Sequence, residues 1–337
     1  MKAHILVTGG TGYIGSHTVV VLQTAGFEIT IWDNLSNSHV EVIERIAQIT
    51  GQRPRFQQVD VRSKESMRAA LREIPTPDAV IHFAAMKAVE ESVRKPLAYY
   101  HNNVGGLLAL LEVMGSLPFL FSSSCTVYGE PDEVPITESA PFKPPTSPYG
   151  ATKQISEQLL YDVATAQSMP TIALRYFNPA GAHPSALIGE YPIQEPTNLV
   201  PLITQAAAGL RPEIVVFGND YPTPDGTPIR DYIHIMDLAE AHRAAIERIL
   251  HGQMKTNFEA YNIGTGRGYS VLEIIRTFET VNHVAVPYRI GSRRPGDITA
   301  IWADPSMAQT TLHWQARLGL EDMLRSAWKW QIKMGKE

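Results

Sequence analysis

The chain has 337 residues, 44% hydrophobic and 19% charged, with a formal net charge of -5. This is enough material for two domains, or for one large nucleotide-binding domain with a substantial extra lobe. The acidic balance leaves no footprint for nucleic acid or an anionic membrane. The lone Cys125 excludes an internal disulfide and a cysteine metal cluster.

No apolar run approaches the roughly 18 residues needed to span a bilayer, and Met1-Lys2-Ala3-His4 leads straight into a strand. The expectation is a cytoplasmic protein. The eleven histidines are scattered, so no metal is expected.

The first strand is predicted over 4–7, a short apolar run of the kind buried in a parallel sheet. It ends in Thr8-Gly9-Gly10-Thr11-Gly12-Tyr13-Ile14-Gly15, and a helical pattern follows, with Val19 and Leu22 and a stop at Gly26. Gly9, Gly12 and Gly15 allow a tight turn, close backbone approach to a pyrophosphate, and close packing of helix on strand. A glycine pattern alone says little. Here a second strand is predicted over 28–32, ending in Asp33, 18 residues after Gly15. A carboxylate at that spacing binds adenosine ribose hydroxyls and repels a 2′-phosphate, which points to NAD rather than NADP.

Strands and helices then alternate: strand 55–59 running into Asp60-Val61, helix 64–73, strand 79–85, helix 97–114 with apolar spacing at 104, 107, 108, 111 and 114, and strand 119–121 ending in Ser122-Ser123-Ser124. Strand ends of small and polar residues suit a carboxyl edge that binds ligands. Six prolines between 131 and 148 exclude regular helix and predict a long ordered loop. A helix over about 148–168 follows, with Ile155, Leu159 and Val163 on one face, and then a sixth strand over 171–177.

The stretch that organises the chemistry is Ser147-Pro148-Tyr149-Gly150-Ala151-Thr152-Lys153. In a helix, Tyr149 and Lys153 share one face. A neighbouring ammonium favours the phenolate, so a tyrosine pKa below its usual value of about 10 is expected. Such a tyrosine exchanges a hydroxyl proton near neutral pH.

After 178 the composition turns to Pro, Gly and Asn, with a helix near 200–208 and a strand at 214–217. Residues 231–235 are expected to return as a strand to the main sheet, followed by a helix to about 251 and a strand over 260–263. Further helices and an Arg293–Asp297 turn complete the chain. The expected fold class is α/β: a Rossmann-type doubly wound parallel sheet with a smaller mixed α/β C-terminal substrate lobe. The division is 1–178, with the returning segment at about 231–262, for NAD, and 179–230 with 263–337 for substrate. No linker separates the lobes.

Taken together, 8–15, 33–38, 121–129, 147–153, 175–179, 217–221 and 230–237 make the chain resemble the extended short-chain dehydrogenase/reductase family, and within it the UDP-glucose 4-epimerases. Nearly the whole chain is covered. By position, the resemblance implies Tyr13 and Ile14 at the pyrophosphate, and Asp33, Asn34, Asn37 and Ser38 around the adenosine ribose. It implies Asp60 and Val61 at the adenine, and Phe83, Ala84, Lys87, Asn102 and Phe177 along the cofactor. Lys153 reaches the nicotinamide ribose. Asn178, Asn198, Leu199, Phe217, Arg230, Arg294 and Asp297 hold the UDP part, where arginine forks suit a diphosphate.

The implied activity interconverts UDP-glucose and UDP-galactose. Tyr149 as phenolate takes the sugar 4-hydroxyl proton, Ser124 holds that oxygen, and hydride passes reversibly from C4 to tightly held NAD+ through a 4-keto sugar. Relatives pair through the helices near 97–114 and 148–168, so a homodimer is expected, with Val104, Leu108 and Leu111 as candidates for the interface.

Other activities on this fold are a C4-epimerase of another UDP-sugar (N-acetylhexosamine, uronate or pentose), a nucleotide-sugar dehydratase, and a non-catalytic NAD sensor. Dehydratase relatives place an Asp-Glu pair after the strand-end threonine, whereas this chain reads Ser124-Cys125-Thr126. Sensors typically lose the tyrosine or the lysine, and both are present. Cys125 stands where relatives usually have alanine. Ile301 stands where relatives differ in sugar range, a bulky tyrosine marking glucose-only enzymes and a small residue those that accept N-acetyl sugars.

Overall fold

In the computed structural model, which describes residues 2–294 and 297–335, the predicted alternation builds one sheet. Strands β1 (His4–Thr8), β2 (Glu28–Asp33), β3 (Arg55–Gln58), β4 (Ala79–His82), β5 (Phe119–Ser124) and β6 (Thr171–Tyr176) are joined by Phe258–Ile263. All seven are parallel, in the order Phe258–Ile263, β6, β5, β4, β1, β2, β3.

The side-chain period of two decides what each face buries. Ile5, Val7, Ile81, Leu120 and Leu174 face the helices Tyr13–Thr24, Val42–Thr50 and Ile235–Leu250. Leu6, Val80, Phe119, Phe121 and Ala173 face Lys64–Leu71, Gly106–Met114 and Pro148–Gln167. A sheet covered on both sides needs apolar residues at every position, hence the unbroken apolar strands. In-register pairing of Thr8 with Trp32 and His82, and of Ser124 with Tyr176, sets the carboxyl ends side by side.

The second lobe has its own core, where Leu199–Ala207, Val271–Asn282 and Leu320–Met334 bury Ile203, Ile275, Phe278, Met323 and Leu324. Here the structure corrects an expectation. The strand expected at 231–235 to return to the main sheet spans Ile229–His234 and instead centres a small sheet with Asn178–Ala180, Gly268–Ser270 and Ala300–Ile301. The main sheet already closes on Phe258–Ile263, so Ile229–His234 carries the chain across the strand ends. Pro295 and Gly296, at the tip of the expected 293–297 turn, lie outside the described residues, while the Asp297 amide donates to the Arg294 carbonyl at 3.2 Å.

The helix expected over 97–114 also differs. It comes as Pro96–Tyr99, a π-turn over Tyr100–Gly105, and Gly106–Met114, and a further short helix, Val89–Arg94, precedes it. The Asn103 amide accounts for the break. Its oxygen accepts from the Met86 amide at 2.8 Å, and its nitrogen donates to the Met86 carbonyl at 3.0 Å and to Thr152 Oγ1 at 3.1 Å. A side chain turned inward to satisfy a loop is a recurrent cause of π-bulges near functional sites. Among the described residues no helix is long and apolar enough to cross a membrane, and no cluster of three or more His, Cys, Asp or Glu could hold a metal.

Candidate active site

The glycine turn after β1 forms a cradle. Gly9 has φ +74°, and a Cβ there would lie 2.7 Å from the Ala84 amide nitrogen, while one on Gly15 would lie 2.3 Å from the Gly9 carbonyl oxygen. Gly12 begins the helix Tyr13–Thr24 without a side-chain cap, and no acid sits in the first turn. Open N–H groups at a helix start favour an anion, and only a bare backbone lets a pyrophosphate come this close. Asp33, buried at the end of β2, accepts from Thr11 N (3.2 Å), Leu35 N (2.9 Å) and Ser38 Oγ (3.1 Å). Three donors leave a carboxylate with capacity for a ribose hydroxyl.

Next to it, Asp60 bonds Asn34, and the Arg62 guanidinium holds its carboxyl below the ordinary range. Val61 is buried, Phe83 packs 4.8 Å from the His242 ring, and Asn102 donates to Asn103 Oδ1 at 3.0 Å. These residues fit a dinucleotide.

At the end of β5 the acid–base group assembles. Ser147 caps the helix Pro148–Gln167 by accepting from Gly150 N at 3.2 Å, and Pro148 pre-sets its first turn. Its buried face is Lys153, Ser156, Glu157, Leu160 and Ala164, while Ile155 is exposed and Leu159 and Val163 are half-buried. Lys153 is 3% exposed, and its Nζ donates to the Ser122 carbonyl at 2.6 Å. Burial pulls its pKa down to about 8, with Glu157, one turn on, opposing.

Tyr149 corrects a second expectation. Burial, with a smaller push from Cys125, raises its pKa to about 12, against the Ser124 side chain, which lowers it. Lys153 Nζ lies 5.8 Å from the Tyr149 ring centroid but gives its short bond to the Ser122 carbonyl, and loss of solvation dominates the phenol.

Beyond Ser124 the second lobe closes in. Cys125, its thiol pushed up to about 12 by burial with Arg230 opposing, packs against Phe177 and Ile301. Arg230 pairs with Asp297 at 3.2 Å, Arg294 with Asp297 at 3.6 Å, and the Arg294 guanidinium lies 5.5 Å from the Phe217 ring centroid. Four residues far apart in sequence thus meet. Asn178 pairs in register with Tyr232, and Asn198 stands just before the helix that begins at Leu199, its side chain making no capping bond.

Sequence reasoning missed four supporting groups. Glu157 and Arg175 form a buried fork beneath Lys153, and Asn103 ties the Met86 loop to the Tyr149 helix. Glu190 accepts from both Lys87 (3.0 Å) and Asn198 (2.6 Å). Only Glu157 left a local signal, its spacing of four from Lys153.

The fold and these contacts have counterparts in known proteins. The family model described as GDP-mannose 4,6 dehydratase matches residues 6–327. The UDP-glucose 4-epimerase of Bacillus subtilis is 51% identical over 331 residues, covering 97% of this chain and 96% of the relative. A Stenotrophomonas maltophila UDP-glucose 4-epimerase structure, with bound NAD and formylated UDP-arabinopyranose, superposes with a TM-score of 0.94 at 49% identity over 99% of each chain. The Bifidobacterium longum enzyme in complex with NAD+ and UDP gives 0.94 at 46% over 98% of each. The dehydratase model covers the same extended fold, but Cys125 and Thr126 provide no acid–base carboxylates where dehydration needs them. The chain belongs to the UDP-glucose 4-epimerases, NAD-dependent isomerases of the extended short-chain dehydrogenase/reductase family.

Proposed function

We propose that this chain interconverts UDP-glucose and UDP-galactose, with Tyr149, Ser124 and Lys153 carrying the proton chemistry at sugar C4. NAD, when bound, supplies the reversible hydride acceptor. Tyr149 Oη takes the 4-hydroxyl proton and later returns it, while Ser124 keeps that oxygen in place. Burial alone holds the phenol near 12, so the anion depends on local positive charge. At about 8, the Lys153 ammonium remains mostly protonated at neutral pH, fixed by the Ser122 carbonyl. Arg230 and Arg294, with Asp297, Asn178, Asn198, Leu199 and Phe217, anchor the UDP while the sugar turns over. The observation that carries this reading is buried Lys153 with its Nζ 5.8 Å from the Tyr149 ring centroid on the same helix face, beside the end of β5 that carries Ser124.

A second reading is a C4-epimerase of another UDP-sugar. Ile301, 2% exposed and packed with Cys125, is smaller than tyrosine, which leaves more room than tyrosine would for an N-acetyl group on the sugar. We assign NAD to 1–178 with the segment at about 231–262, and the UDP-sugar to 179–230 and 263–337. We also take the protein as a cytoplasmic homodimer. Leu97 (82% exposed), Leu108, Ile155 and Tyr161 stand exposed on the helices Pro96–Tyr99, Gly106–Met114 and Pro148–Gln167, while Leu111 is buried in the core.

The test is incubation of the purified protein with UDP-galactose, without added cofactor, followed by separation of the UDP-sugars. UDP-glucose should accumulate to an equilibrium mixture, and Tyr149→Phe should lose about 10²–10⁴-fold in turnover, the range of general acid–base catalysis. Unchanged turnover in Tyr149→Phe removes the assignment. No conversion, even with NAD+ supplied, moves the reading to uronates and pentoses.

A further inference from the structure

The segment after Asn178–Ala180 crosses the mouth between the two lobes. Glu190, its side chain 10% exposed, receives Lys87 Nζ at 3.0 Å and Asn198 Nδ2 at 2.6 Å on the same oxygen. Its carbonyl accepts from Trp330 Nε1 at 3.3 Å, and Gly189 lies so close to that indole that a Cβ would fall 2.6 Å from its ring atoms. Tyr191 stacks on His39 at 4.0 Å and 21°, with the Arg45 guanidinium 5.9 Å from its ring centroid. The Ile193 amide donates to Asn37 Oδ1 at 3.2 Å. Asn37 and His39 follow β2, Lys87 follows β4, and these strands flank β1 in the sheet. A segment fastened to both loops therefore spans the glycine turn between them. Tyr13, the first residue after that turn, donates its hydroxyl to the Gly181 carbonyl at 2.6 Å from the same connection.

We propose that Glu190 is a positioning residue shared by the two ligands, holding Lys87 toward the NAD and Asn198 toward the UDP-sugar, on a strap that slows the cofactor's departure. The proposal rests on the roles given above to Lys87, Asn37 and Asn198. A single carboxylate oxygen serving both groups ties their placement together. A cavity of about 680 Å³, lined by Tyr13, Gly181, the strap, Val200 and Trp330, lies against the strap and gives it room to swing when the Lys87 contact breaks.

The experiment compares the purified full-length protein with Glu190→Ala, Glu190→Gln and Tyr191→Ala. It measures NAD retained after gel filtration, its release rate into NAD-free buffer, and KM and kcat for UDP-galactose at saturating NAD. A charged hydrogen bond is worth enough that Glu190→Ala should release NAD about tenfold faster and raise KM several-fold, with kcat changing less than KM. Glu190→Gln keeps an acceptor for Asn198 and should speed release while sparing KM. Tyr191→Ala, which removes the ring contacts with His39, Arg45 and Trp330 but leaves Glu190 in place, should speed release without altering KM.

Release at the wild-type rate in both Glu190→Ala and Tyr191→Ala overturns the proposal. Slower release in Glu190→Ala does so too, since it means that Glu190 competes with the cofactor for Lys87. A wild-type protein that holds no NAD and converts no UDP-galactose instead removes the functional reading on which the proposal stands.

Discussion

Arg175→Met would leave half of an ion pair stranded inside the protein. Arg175 and Glu157 side chains are 7% and 3% exposed, and the guanidinium reaches the carboxylate through Nε at 3.0 and 3.1 Å and Nη2 at 2.6 Å. Glu157 would keep only Ser123 Oγ as a donor, and Tyr128 would lose a 3.0 Å contact while retaining Asn262 at 2.6 Å. Removing one partner of such a pair costs about 3–5 kcal/mol, whereas replacing both by apolar residues is often nearly neutral. An unfolding entropy of about 2.1 cal/mol/K per residue gives roughly 0.7 kcal/mol/K for this length, so Tm should fall by roughly 4–7 °C.

Thermal unfolding followed by circular dichroism, at one pH and matched NAD content, reads this directly. The double variant Glu157→Met/Arg175→Met should recover much of the loss, giving strong coupling in the cycle. Additive losses, or an Arg175→Met protein melting with the wild type, would refute the reasoning. Glu157 also helps to keep Lys153 charged against burial. The double variant, although stable, should therefore turn over more slowly than the wild type near neutral pH.

Gly15→Ala places a Cβ 2.3 Å from the Gly9 carbonyl oxygen. Overpacking of this kind costs about 1–3 kcal/mol, and the variant should purify with little NAD by its 260 nm absorbance; full occupancy refutes the cradle. Burial lowers His17 and His82 to about 3, and His234 and His242 to about 4. The unfolded chain, with histidines near 6.5, then binds up to four more protons between about pH 4 and 6.5. Stability rises with pH through that window at up to roughly 5 kcal/mol per unit and is lost on acidification. The raised carboxyls of Asp231, Asp237 and Glu138 act in the opposite sense at lower pH. Urea midpoints at pH 7.5 and 5 test this, and equal values refute it. Leu97→Glu with Tyr161→Glu should give a monomer by light scattering, since both side chains stand exposed; a persistent dimer places the interface elsewhere.

What the sequence determined by itself were features whose cause is local. An apolar run of three residues was enough to specify a buried parallel strand, as His4–Thr8 and Phe119–Ser124 turned out to be. Glycines at 9, 12 and 15 need only their own backbone freedom, and Tyr149 and Lys153 share a face through helical spacing alone. Tertiary structure decided what depends on partners distant in the chain. Ile229–His234 has the length of a main-sheet strand although it carries Arg230 and Asp231, and with Phe258–Ile263 already at the sheet edge it pairs in the smaller sheet. The helix Pro148–Gln167 buries its Lys153–Glu157 side because Arg175, Ser123 and the Ser122 carbonyl wait there, leaving Ile155 outside. The expected fall in the Tyr149 pKa reversed for the same reason: spacing tells which charges are near, but solvation depends on everything packed around them.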